Sequence, residues 1–223
     1  MAWAWGCFMP WASRAQDWPN LEKYSQANAA LAEPAAGEDR VVFMGNSITE
    51  GWTGANPDFF LDRSFINRGI GGQTSPQMLL RFRQDVLDLR PKAVFILAGT
   101  NDIAGNTGPM TLEQIRDNIL SMVQLAQANG IVPVVCSVLP AHDYPWKRGQ
   151  SPNIKIPKLN LLLKEMAQQR QVPYLDYFSA MVDSRNGLQG PYTTDGVHLT
   201  PAGYKVMEAM VEEELSKILS DRD

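Results

Sequence analysis

The sequence predicts an α/β fold, a three-layer αβα sandwich built on a flavodoxin-like parallel five-stranded sheet. Three observations lead there. From residue 41 to the C-terminus, strand signals alternate with helix signals. The strand candidates are continuous apolar runs, as expected where both faces of a sheet are covered, rather than apolar and polar residues in turn. The first three of them end in polar turns that contain glycine, GNSIT, NRGIGGQTS and AGTND. With 223 residues, 44% hydrophobic and 20% charged, the chain is long enough for one well-buried domain and short for two. Residues 16–223 are read as that domain.

Residues 1–15, MAWAWGCFMPWASRA, form an apolar stretch ending in Ser13-Arg14-Ala15 before the polar Gln16-Asp17. This resembles the apolar part and small-x-small cleavage site of a secretory signal peptide, without its basic beginning. A partial signal peptide and a periplasmic or secreted protein are expected. The other reading is an apolar arm packed on the domain of a cytoplasmic protein. No later run approaches the ~18 apolar residues of a membrane span.

The elements follow in order. Residues 17–31, with Leu21, Tyr24 and Leu31 on one side, read as an amphipathic helix opened by Pro19. Val41 to Met44 are the first strand, and Gly45 gives the chain a sharp exit that leaves Ser47 at the strand's C-terminal end. Residues 64–70 are the second strand. Ser75 is the expected N-cap of a helix with Pro76 at its first position, and Leu79, Phe82, Val86 and Leu89 keep its spacing until Pro91. Residues 93–98 are the third strand. Thr111 with Gln114 is a capping box for a helix carrying Leu112, Ile115, Ile119, Met122 and Ala126, stopped at Asn129-Gly130. Residues 131–139 are the fourth strand, where Pro133 suits an edge or entry position. Residues 155–171 form a helix with Leu159, Leu162, Leu163 and Met166, and 172–175 a short fifth strand. Thr200-Pro201 caps a last helix striped by Tyr204, Met207, Val211, Leu215 and Ile218.

Composition narrows the chemistry. A net charge of −4 provides no basic excess to neutralise phosphates, so a nucleic-acid partner is not expected. Two histidines, His142 and His198, and two cysteines, Cys7 and Cys136, are too few for an ordinary zinc site, and a mechanism free of metal and cofactor is expected.

In a parallel sheet the three glycine-containing turns share one edge, where ligands bind in open α/β folds. Asp195-Gly196-Val197-His198 places a carboxylate three residues before a histidine, a spacing that lets the acid hold one ring nitrogen while the other points away. A serine, a base, an acid and several hydrogen-bond donors suit acyl transfer. Plainer readings stand beside this one: Ser47 as an N-cap, Asn101 as a turn former and Asp102 as an N-cap. Trp52, His142, Tyr144 and Trp146 are the candidates for a substrate rim, although the three larger aromatics could equally cover the core.

The motifs GNSIT, GIGGQTS, GTND and DGVHL occur here in the order in which the SGNH hydrolases, also called GDSL esterases and lipases, carry their blocks. The sequence resembles that family over nearly all of residues 16–223, and within it is most similar to the platelet-activating-factor acetylhydrolase subunits and bacterial acetylesterases, through TSPQMLLRF and residues 91–102. The resemblance implies Ser47 as nucleophile, His198 as base and Asp195 as its acid. It also implies an oxyanion hole from the backbone N–H groups of Ser47 and Gly72 and the side chain of Asn101. Asn46 stands where the family name has aspartate, which bears on the turn rather than the mechanism. The implied function is hydrolysis of small carboxylic esters without cofactor. Residues 140–153, polar and rich in proline, offer no apolar lid, so short acyl groups are expected, with an acetylated carbohydrate as a candidate. A lysophospholipase or acyl-CoA thioesterase is the alternative enzyme, and a silent carbohydrate- or nucleotide-binding module the non-enzymatic one. The oligomeric state is not legible.

Overall fold

The computed structural model describes residues 16–220; the expected signal peptide lies outside them. Strands β1 (Val41–Gly45), β2 (Phe65–Gly69), β3 (Ala93–Leu97), β4 (Val132–Cys136) and β5 (Tyr174–Leu175) pair in parallel in the order β2-β1-β3-β4-β5. Helix α1 (Ser25–Ala30) precedes the sheet. The connections carry α2 (Ser47–Ala55), α3 (Ser75–Asp85), α4 (Thr100–Ala104), α5 (Leu112–Ala128) and α6 (Pro152–Arg170); α7 (Tyr177–Met181) and α8 (Pro201–Ser220) follow β5.

Successive side chains of a strand point to opposite faces, and here each face meets helices. Val42, Met44, Val94, Ile96 and Val135 join Phe82 of α3, Ile119 of α5 and Leu159 of α6 in one core cluster. Val41, Phe43, Phe95, Leu97 and Val134 join Trp52 of α2, Met181 of α7 and Met207 of α8 in the other. Neither face can be polar, which is why the strands read as unbroken apolar runs. Burying each aliphatic side chain is worth roughly 1.5–3 kcal/mol, so the two clusters hold the layers together.

The strand order reverses at β1, whose neighbours are β2 on one side and β3 on the other. Gly45 is level with both Gly69 and Leu97, so the turns leaving these three strands lie side by side. That is the crevice in which open α/β sheets bind ligands.

Several expected boundaries shift. Only Ser25–Ala30 of the predicted 17–31 helix is helical, and none of its residues is buried. Asp17 takes the N–H groups of Leu21 and Glu22 on its carboxylate (2.8 and 3.0 Å), and Asn20 is left-handed (φ 57°), so turns replace the first part of the helix. The N-cap of α3 is Thr74, boxed with Gln77, and Ser75 already belongs to the first turn. That helix stops at Asp85, and a 3₁₀ turn, Leu87–Leu89, completes the apolar spacing to Pro91. Strand β4 is shorter than residues 131–139 and internal. Its proline is tolerated because β5 begins beside Val135, beyond Pro133, so the missing N–H falls where no partner strand runs.

Candidate active site

Gly45 is the residue that lets β1 pass directly into α2. A Cβ there would lie 1.9 Å from Thr49 Oγ1 and 3.2 Å from the Leu97 carbonyl oxygen, so a side chain does not fit. The next residue, Asn46, caps α2 by accepting the Ile48 N–H at 3.2 Å. An amide oxygen serves this turn as an aspartate oxygen would, so the departure from aspartate leaves the turn intact. Ser47 is therefore the first residue of the helix rather than its cap, and its hydroxyl lies 3.0 Å from His198 Nε2.

The partner imidazole is held from the far side. Asp195 accepts the backbone N–H groups of Val197 and His198 on Oδ1 (2.9 and 2.8 Å), while His198 Nδ1 lies 2.7 Å from its Oδ2. Gly196, at φ +87°, makes this tight turn possible, and Thr193 Oγ1 donates to the His198 carbonyl at 2.8 Å. Partial burial raises the Asp195 pKa, but the hydrogen bonds from the His198 ring and the two amides outweigh it and hold the carboxyl below its ordinary range. A carboxylate only accepts, so Nδ1 carries the shared proton and Nε2 is left to accept from Ser47. This is the arrangement needed to draw a proton from a hydroxyl.

The opposite wall comes from the turns after β2 and β3. Gly72 has φ +76°, and its carbonyl accepts the Asn106 side-chain amide at 3.1 Å. Asn101 lies in α4, whose N-cap is Gly99, so neither Asn101 nor Asp102 is a cap. One N–H of the Asn101 amide goes to the Gln73 carbonyl at 3.0 Å, which leaves the second N–H of that group for another acceptor. Asp102 is turned away into the protein, accepting the Ser75 N–H and hydroxyl on Oδ1 at 2.8 and 2.6 Å, and burial raises its pKa against those bonds. A cavity of about 250 Å³ is bounded by Ser47, Gly72, Asn101, Asn106, Trp146 and His198.

The structure thus brings together Ser47, Asp195, His198, Gly72 and Asn101 as expected from the sequence, and corrects the rim. Trp52 is 1% exposed, packed among Phe43, Phe59 and Tyr204 with its indole N–H on Glu208. Tyr144 is fully buried, its hydroxyl 2.9 Å from Thr100 Oγ1, and serves as the surface on which Trp146 stacks. His142 faces solvent with Nδ1 3.2 Å from the Arg185 carbonyl and does not border the cavity. Trp146 does border it, with its ring 6.3 Å from that of His198. Sequence reading missed Asn106, which lines the cavity and accepts from the Trp146 indole N–H at 3.4 Å. The available signal was its place just beyond Gly105, the left-handed residue that closes α4.

A parallel α/β sheet with this site on its C-terminal edge defines an ester hydrolase of the αβα type. The chain belongs to the GDSL-like Lipase/Acylhydrolase family, whose model matches residues 43–206. It is similar to a Bacteroides fragilis protein described as an acylhydrolase, with 49% identity and a TM-score of 0.90 over 92% of this chain and 100% of that one. It is also similar to the uncharacterized lipoprotein YqeF of Bacillus subtilis, at 26% identity over 66% of this chain and 72% of the relative. The isoamyl acetate-hydrolyzing esterase of Saccharomyces cerevisiae is 24% identical over 81% of this chain and 86% of its own length.

Proposed function

We propose that the chain is a serine esterase of short acyl groups, acting through an acyl-enzyme on Ser47. The observation that carries this reading is the series Ser47 Oγ, His198 Nε2 at 3.0 Å and His198 Nδ1, Asp195 Oδ2 at 2.7 Å, opening on the cavity that Gly72 and Asn101 also line. As Ser47 attacks the ester carbonyl, His198 takes the hydroxyl proton, and Asp195 stabilises the resulting imidazolium. The tetrahedral oxyanion is met by the N–H groups of Ser47 and Gly72 and by the Asn101 amide. His198 then gives the proton to the leaving alkoxide. Water, activated by the same imidazole, adds to the acyl carbonyl and releases the acid and Ser47.

Preference for short acyl groups rests on space and lining. The cavity, about 250 Å³, is below the ~300–1,000 Å³ of pockets that enclose drug-sized ligands. It is lined by Ser47, Gly72, Asn101, Asn106 and His198 beside the indole of Trp146, which is 45% exposed and backed by Tyr144. A flat exposed indole beside an amide suits an acetylated carbohydrate, and the yeast relative is named for an acetyl ester. Residues 16–223 are read as one catalytic domain. Export fits the apolar stretch before Gln16 and the lipoprotein relative.

The test is active-site labelling. A fluorophosphonate should modify Ser47 alone, and Ser47→Ala should lose both the label and ester turnover. A label on another serine, with turnover retained in Ser47→Ala, would overturn the mechanism.

A further inference from the structure

The family match begins at residue 43, yet the segment before it is bound to the turn that carries Gly72. Pro19 accepts the Gln73 side-chain amide on its carbonyl at 2.7 Å, and Tyr24 donates its hydroxyl to the Gly69 carbonyl. Lys23 pairs with Glu50 through Oε1, and the other carboxylate oxygen of Glu50 accepts the Gly71 N–H at 2.8 Å. On the inner side, Arg81 donates to the Gln73 side chain at 2.6 Å and to the Gly45 carbonyl at 3.0 Å.

Two adjacent glycines are the most freely rotating pair a chain can contain, so their peptide planes are set by hydrogen-bond partners rather than by sterics. Glu50 fixes the N–H of Gly71, and Asn106 fixes the carbonyl of Gly72. The N–H of Gly72 lies between these pins and has no acceptor in the protein among the described residues. Glu50 also sits on α2, three residues after Ser47. Its carboxylate therefore ties the glycine turn to the very helix that presents the serine, which sets the distance between attacking oxygen and oxyanion donor.

We propose that Glu50 is a positioning residue for the Gly72 N–H, and that the N-terminal arm holds Glu50 in place through Lys23. The inference rests on the acyl-enzyme reading above. Glu50 fixes the Ile70–Gly71 peptide plane, next to the one that carries the Gly72 N–H, so its loss is felt in the transition state, where the donor must meet the developing charge, more than in substrate binding.

The experiment measures kcat and KM on p-nitrophenyl acetate for wild type, Glu50→Ala, Glu50→Gln and Lys23→Met, each normalised to the sites titrated by fluorophosphonate, with Tm alongside. Misplacing a catalytic group by about 1 Å costs on the order of 10²-fold, so partial release of the turn in Glu50→Ala should lower kcat about tenfold or more, with KM within about twofold. Glu50→Gln keeps an oxygen for Gly71 and should recover most of the loss; Lys23→Met should fall between wild type and Glu50→Ala. Wild-type kcat per titrated site in Glu50→Ala, or Glu50→Gln as poor as Glu50→Ala, would overturn the inference. Should Glu50→Ala not fold, wild-type kcat in Lys23→Met overturns it instead. A wild-type protein whose Ser47 takes no label would sink the underlying mechanism, whereas labelled wild type with unaffected variants sinks the role of Glu50 alone.

Discussion

Ser47 and His198 are 151 positions apart in sequence, and their side chains meet at 3.0 Å. The contact joins the first turn of α2 to the loop before α8, and Asp195 completes it from within the same loop. If the three act in series, their losses differ in kind. Ser47→Ala and His198→Ala should each remove nearly all turnover, because without either the acyl-enzyme cannot form. Asp195→Asn should lose less, since removing the orienting member of such a set is the milder change. His142→Ala should keep its activity, given its solvent-facing position. Initial rates on one ester decide it, and equal losses for His142→Ala and His198→Ala would place the base elsewhere.

Asn101 gives one N–H to the Gln73 carbonyl and retains the other at the cavity. Removing one oxyanion donor typically costs about 10²–10³ in kcat, and Asn101→Ala should lose that much with KM little changed. An unchanged kcat, in protein with a wild-type circular dichroism spectrum, would reduce Asn101 to a structural link between two turns.

The sheet was readable because its strands are buried on both sides, which writes Val41 to Met44 and Ala93 to Leu97 as unbroken apolar runs. The Ser47 turn and the Asp195–His198 turn were readable because their hydrogen bonds are local, Ile48 to Asn46 in one and Val197 and His198 to Asp195 in the other. The rim was not, because it depends on distant pairing. An aromatic five residues beyond Ser47 looks the same whether it lines a pocket or fills a core, and only Glu208, 156 positions away, draws the Trp52 indole inward. Tyr144 and Trp146 are near neighbours of like chemistry, yet the buried hydroxyl of Thr100 takes one and leaves the other at the surface. The arm was misread as a longer helix because apolar spacing does not register an Asp17 carboxylate that competes for the same N–H groups.

Glu208 leads to a stability prediction. Its side chain is almost wholly buried and accepts the Trp52 indole at 3.2 Å and the Asn56 amide at 2.7 Å on one oxygen, with Lys205 at 2.7 Å on the other. Glu208→Ala leaves the buried Trp52 indole N–H without an acceptor and the Asn56 amide with the Pro201 carbonyl alone, at 3.2 Å; an unsatisfied buried donor costs about 1–3 kcal/mol, so a loss of that order is expected. Urea unfolding should show a lower midpoint at an unchanged slope, while kcat per titrated site stays near wild type. A wild-type midpoint would mean that water reaches the Trp52 indole as readily as Glu208 does.

Among the described residues, the indole of Trp146 is the one large apolar group at the cavity, and it is supported from beneath by Tyr144 at a ring separation of 5.0 Å. A long acyl chain gains from burial at about 0.8 kcal/mol per CH₂, or roughly fourfold in kcat/KM for each carbon enclosed. A cavity of about 250 Å³ shared between the acyl group and the alcohol leaves little length to enclose. Across p-nitrophenyl esters from about two to sixteen carbons, kcat/KM should therefore peak at acetyl or butyryl and then fall. Trp146→Ala removes a wall and should shift the peak toward longer chains while lowering activity on acetylated sugars, which lose their stacking surface. Should kcat/KM of the wild type instead climb steadily beyond eight carbons, the short-acyl reading fails and a lysophospholipase or thioesterase activity takes its place.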